Sequence, residues 1–220
     1  MPTDYIAPFA LWIVIRHMRL ADGSHHTEPA WVRSEDHRDL VVFVSRLHAY
    51  LYATLRNIDH TRGESDGWQC IPLSAFDLCG CIREADGPLK CAMAFSFECD
   101  ATGALIIANG APRLRFVELT FNVPNPVEGA VFNFSQGAFD VMREQWEHIG
   151  AYDYPQSIER IDAMDDVTFA HALGVALQAA LVTRAEYASD HWTVYDADAG
   201  YWISSPVRSY SGVPATRTVH

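Results

Sequence analysis

A chain of 220 residues with 49% apolar and 20% charged side chains can bury one substantial core, and its six Trp, nine Tyr and eleven Phe exclude disorder except at the ends. The 16 basic against 28 acidic side chains leave a net charge of −12, with one lysine (Lys90) and scattered arginines. Direct DNA or RNA binding is excluded on that basis, because phosphate must be neutralised by clustered Lys or Arg. The expected organisation is a single domain over residues 1–206 and a flexible C-terminal tail over 207–220.

The apolar run PFALWIVI near the start is too short to span a bilayer and is closed by Arg16. Asp4 stands where a signal peptide would carry Lys or Arg, so the chain is expected to be cytoplasmic, with no membrane partner. An odd number of cysteines in such a chain implies free thiols rather than a disulfide framework.

Phe9 to Leu20 is apolar on both alternating faces until Arg16, the pattern of a strand covered on two sides, and ADGS turns the chain at 21–24. Ser34, followed by Glu35 and Asp36, reads as an N-cap. Leu40, Val41, Val44, Leu47, Leu51 and Leu55 recur at three and four residues, predicting a helix from about Ser34 to Asn57. The Gly- and Asp-rich RGESDG at 62–67 leads to a short strand in WQCIPL. In KCAMAFSFEC, Cys91, Met93, Phe95, Phe97 and Cys99 alternate with Lys90, Ala92, Ala94, Ser96 and Glu98, predicting a strand with one apolar face.

DATG at 100–103 is a hairpin turn, followed by a strand in LIIA and a loop in NGAP. In RLRFVELTFNV the apolar phase changes between Phe116 and Val117, which predicts a bulge or bend. Beyond VPNPVEG the pattern turns helical. Ser135 caps a segment with Ala138, Val141, Met142 and Trp146 on one face; Pro155 opens a second helix, and Asp165 or Asp166 caps a third. That third segment, VTFAHALGVALQAALVTRAEYA, is apolar nearly all round, predicting a buried helix with His171 as a core histidine. WTVY, DADAG and YWISS close the chain as a hairpin, with Gly200 where a positive φ is needed. The order predicts an α+β fold: a mostly antiparallel sheet packed against several helices, with a C-terminal β-hairpin.

Three of the five cysteines lie in LCGCIREADGPLKC at 78–91. A zinc site of Cys79, Cys81, Cys91 and Cys99 would need a C-x-C first pair, which cannot form the usual knuckle, so no metal is expected and core packing is the better reading. The paired His25-His26 reads as a polar surface turn. No phosphate-loop, dinucleotide, metalloprotease or nucleophile-elbow pattern appears, so no cofactor is expected. The remaining chemistry is a nucleophile: Cys81 or Cys70 early, with His191 at the head of a late strand and Asp196 or Asp198 to orient it. That chain order resembles papain-like hydrolases, and the resemblance implies a cysteine-dependent hydrolase or transferase. Against it, neither CIPLSAFD nor CGCIREADG reads as the helix that such a cysteine opens.

The acid is concentrated late: net charge runs −1 over 1–60, −4 over 61–139 and −7 over 140–220. Residues 140–166 hold eight acids against two arginines. Glu144, Glu147, Asp153, Asp162, Asp165 and Asp166 there are interleaved with Trp146, Tyr152 and Tyr154. Charges that steer an encounter, beside aromatics that anchor it, point to a non-catalytic protein that captures a basic protein partner. An immunity protein neutralising a bacterial toxin such as a nuclease is one form of it, with carboxylates placed where the toxin binds phosphate. The alternative is a solvated helix face with Trp146, Val141 and Met142 buried beneath it.

Overall fold

The computed structural model describes residues 3–20, 22–33, 38–58, 65–84, 88–121, 129–184 and 189–206. The expected N-cap at Ser34, Glu35 and Asp36 and the tail 207–220 lie outside these residues. In chain order the elements are β1 (Asp4–Ile6), β2 (Trp12–Arg19), β3 (His25–Pro29), β4 (Trp31–Arg33), β5 (Arg38–Phe43), α1 (Arg46–Asn57) and β6 (Ser65–Pro72). After a short 3-10 turn at Leu73–Ala75 come α2 (Leu78–Glu84), β7 (Leu89–Cys99), β8 (Leu105–Ala108), β9 (Ala111–Pro112), β10 (Leu114–Phe121) and β11 (Val131–Asn133). The last third holds α3 (Gln136–His148), α4 (Tyr154–Asp162), α5 (Asp166–Ala179), β12 (Val182–Arg184), β13 (His191–Asp196) and β14 (Tyr201–Pro206).

The fold is α+β. Its 12-stranded sheet is mixed and mostly antiparallel: β5 runs parallel to β7, and β12 parallel to β8. β1 and β11 form a separate parallel pair. β13 and β14 make the C-terminal hairpin, with Gly200 at φ +73°. The NGAP segment is more ordered than a loop: Asn109 and Gly110 both take positive φ, as a two-residue hairpin turn demands, and join β8 to β9.

The middle of the sheet is buried on both faces, so Trp12 to Ile15 of β2 and Leu40 to Phe43 of β5 are continuously apolar. Ile13, Ile15, Leu40, Val42 and Val44 pack into one core with α2, α3 and the start of α4; Val14, Val41 and Phe43 pack into a second with α1 and α5. This arrangement overturns the expected N-terminal half of the first helix. Leu40 to Phe43 is a strand, and α1 begins only after Ser45, whose side chain accepts the His48 N–H. It also divides β7, where Cys91, Met93 and Phe95 reach the first core but Phe97 reaches the second. A bulge explains the switch: Arg115 pairs with Ser96 and Phe116 with Ala94, so Phe95 has no opposite residue.

Three further expectations are corrected. Residues 79–84 of CGCIREADG are helical within α2, because Asp77 accepts the Gly80 N–H through its side chain and the Cys81 N–H through its carbonyl. His25 and His26 lie on β3, paired with β2, rather than in a turn. α5 ends at Ala179 and is not buried in the middle of the fold: only Phe169 and Ala176 are buried, Val167 is 83% exposed, and His171 faces solvent. Its inner side meets α1 and β14, while nothing among the described elements covers its outer side. Among the described residues the buried histidine is His48 on α1.

Candidate functional site

The acidic segment folds as α3, α4 and the first turn of α5. Ala138, Phe139, Met142 and Trp146 form the inner stripe of α3 at helical spacing, which turns Glu144 and Glu147 outward. Trp146 is 0% exposed, meets the rings of Phe9, Phe95 and Tyr154, and donates its indole N–H to the Phe95 carbonyl at 3.3 Å. Tyr154 is also buried. Its hydroxyl lies 2.9 Å from His48 Nε2 and hydrogen-bonds Ser45. Two of the three expected anchors are therefore core residues, and Trp146 is placed inward by the same periodicity that turns the α3 acids out. Tyr152, in the turn between α3 and α4, is 68% exposed.

The acids divide in the same way. Glu144, Glu147 and Asp153 are exposed, and Glu144 and Glu147 form no ion pair with a described residue. Asp153 lies near Arg160, whose guanidinium pairs with Asp198. Asp165 caps α5 by accepting the Thr168 N–H at 2.8 Å.

Asp162 and Asp166 instead belong to a cluster around Arg46 at the start of α1, Asp162 half-buried within it and Asp166 reaching it from the surface. The Arg46 guanidinium lies 3.9 Å from the centre of the Phe169 ring, with Trp12 and Tyr50 at 5.5 and 5.7 Å. It donates to the Met164 carbonyl at 3.2 Å and to Asp166 at 3.0 Å. Asp162 accepts the Trp12 indole N–H at 3.2 Å and the backbone N–H of Arg46. Burial nevertheless pushes its carboxyl up to about 6, against the pull of those donors.

Beside this cluster Ser45, His48 and Tyr154 make a second polar group. His48 is buried edge-on against Phe97, and burial pushes its imidazole down to about 3, so it is neutral. The Tyr154 phenol is pushed up by the same cause. All three side chains are closed off from solvent, so their arrangement fixes the start of α1 rather than presenting a reactive group.

The parts of a cysteine hydrolase are not brought together. Cys70 lies on β6 and packs on the core that holds α1 and α5, whereas Cys81 lies on α2 against the core on the opposite face of the sheet. His191 sits on β13 opposite Cys99, and its Nδ1 meets Asp190 at 2.7 Å. Asp196 accepts the N–H groups of Asp198 and Ala199 within the hairpin turn, and Asp198 pairs with Arg160, so neither orients His191. All five cysteines are free. Burial, the largest cause in each case, pushes the Cys81 and Cys99 thiols up to about 12 and raises those of Cys70 and Cys91 as well. A thiol raised in this way is protonated and inert at neutral pH.

Among the described residues no group of three or more His, Cys, Asp or Glu side chains could hold a metal ion, and no helix is long and apolar enough to cross a membrane. Compared with known protein families, with curated proteins and with solved structures, the chain matches none. The outward acids of α3, with Tyr152 and Asp153 at its end, remain as the group of candidate residues that is both exposed and chemically uncommitted.

Proposed function

We propose that this is a non-catalytic binding protein that captures a basic protein partner on the outer side of α3 and the turn into α4. Glu144, Glu147 and Asp153 supply the charge, and Tyr152 supplies an aromatic ring with a polar tip. The observation that carries this reading is the exposure of Tyr152 next to outward acids in a chain of net charge −12. Long-range attraction accelerates encounter with a basic surface, and burial of the tyrosine ring then slows escape. An immunity protein is one form of such a protein: it would occupy the phosphate-binding groove of a basic nuclease toxin with these carboxylates.

Affinity capture from the native host's lysate at low and moderate salt tests the reading. A single basic protein retained in near-stoichiometric amount and weakened by salt supports it. Retention of nothing, or of a partner indifferent to salt, contradicts it.

A further inference from the structure

A strand at the edge of a sheet presents a row of unpaired N–H and C=O groups, and proteins that do not use such an edge block it. Here the edges are blocked one after another. β3 ends in Pro29 and β14 in Pro206; β4 and β12 are three residues long, and β9 is two residues ending in Pro112. β6 is longer, but it carries Gly67 and Pro72. The Asn57 side chain also closes its edge at Trp68, accepting the N–H at 2.8 Å and donating to the carbonyl at 2.9 Å.

Among the described residues nothing of this kind guards the outer edge of β10. It is eight residues, LRFVELTF, without Gly, Pro or Lys, and it pairs with β7 alone among the described strands. No backbone hydrogen bond leaves its other edge for a described residue. The bulge lies between its second and third residues, Arg115 and Phe116, with the extra residue on β7, so Val117 to Phe121 runs in regular register. Its β-branched and aromatic side chains favour an extended neighbour. The exposed charge on the strand is Glu118, and α3, which packs against β10, holds Glu144 and Glu147 on its outward side.

We propose that the outer edge of β10 takes up an extended basic segment of the partner as an added β-strand, with main-chain hydrogen bonds supplying affinity and Glu118 selecting lysine or arginine side chains. The proposal rests on the basic-partner reading above and specifies where the partner's backbone lies. A second copy of this chain is disfavoured as the occupant, since it would bring another net charge of −12 and another Glu118 to the same edge.

The test uses the whole protein with two end-blocked octapeptides of alternating valine and lysine, one unmodified and one N-methylated at every residue. The second keeps the charge and loses every backbone donor. Affinity is measured by calorimetry, and hydrogen exchange is followed at the amides of Leu114 to Phe121. The expected result is about tenfold or greater preference for the unmodified peptide, with exchange slowed at alternate β10 amides, as a few net hydrogen bonds imply. Equal binding of both peptides with β10 exchange unchanged overturns the edge proposal and leaves capture by charge standing. Binding of neither overturns the basic-partner reading and the edge proposal with it. Slowed β10 exchange in the free protein that deepens with protein concentration overturns the choice of occupant in favour of a second copy.

Discussion

The indole N–H of Trp12 donates to the carboxylate of Asp162 at 3.2 Å, tying β2 to the end of α4. The same carboxylate accepts the first N–H of α1, so one half-buried acid joins three elements across the second core.

Burial raises the Asp162 carboxyl from 3.8 to about 6. The folded state therefore binds this proton more tightly than the unfolded chain, and the stabilisation present below about pH 4 is lost as pH rises through about 6. Asp162→Asn keeps an acceptor for Trp12 and removes the titration. Relative to wild type it should gain about 1–2 kcal/mol on going from pH 4 to pH 7, less than the full shift implies because the group is partly solvated. Urea denaturation of both proteins across that range checks it. A constant difference would show that Asp162 titrates normally.

His48 acts in the opposite direction. Held at about 3 rather than 6.5, it cannot follow the unfolded chain in taking up a proton, so its contribution is present above about pH 6.5 and lost as pH falls toward 3. Its ring nitrogen depends on the Tyr154 hydroxyl. Tyr154→Phe should cost about 1–3 kcal/mol at pH 7 by leaving that nitrogen buried without its phenol partner, measured as a lower denaturation midpoint. A midpoint equal to wild type would mean that the pair contributes nothing.

Trp146 and Tyr152 separate core from surface. Trp146→Ala removes a fully buried ring and its hydrogen bond to Phe95, a loss of about 3–5 kcal/mol. Tyr152→Ala should change stability by less than about 0.5 kcal/mol while weakening partner capture. Thermal unfolding and capture measured on both variants distinguish the roles. Equal destabilisation by the two would place Tyr152 in the core.

The cysteines should be inert. Iodoacetamide at pH 7 should leave Cys70, Cys81, Cys91 and Cys99 unmodified in the folded protein and label them once it is unfolded. Rapid labelling of folded Cys81 or Cys70, read by peptide mass, would restore a nucleophilic role.

The fold class, the closing hairpin with Gly200, the Asp165 cap and the irregularity near Phe116 were legible because each depends on local chemistry: a turn, a cap, a change of phase. The false helix over residues 38–44 arose from burial on both faces. A strand covered on two sides loses its period of two, and LVVFV then fits helical spacing as well as strand spacing. Its β-branched run was the signal that could have decided for a strand. α5 misled in the converse way, since an all-round apolar composition does not say which side of a helix finds a neighbour. At the candidate site, exposure of Glu144 and Glu147 followed from the spacing of Ala138, Met142 and Trp146. The inward turn of Tyr154 did not, because it depends on His48, 106 residues away in the chain. Nor did the gathering of the half-buried Asp162 and the exposed Asp166 around Arg46, which requires α1 to meet α4 and α5.

The most direct measurement is the association rate of the captured basic partner with wild-type protein and with Glu144→Lys/Glu147→Lys/Asp153→Lys, over a series of salt concentrations. The predicted result is a wild-type rate that falls steeply with salt, and a variant rate at least about tenfold lower at low salt with a nearly flat dependence. Identical rates and slopes would contradict capture by the α3 surface.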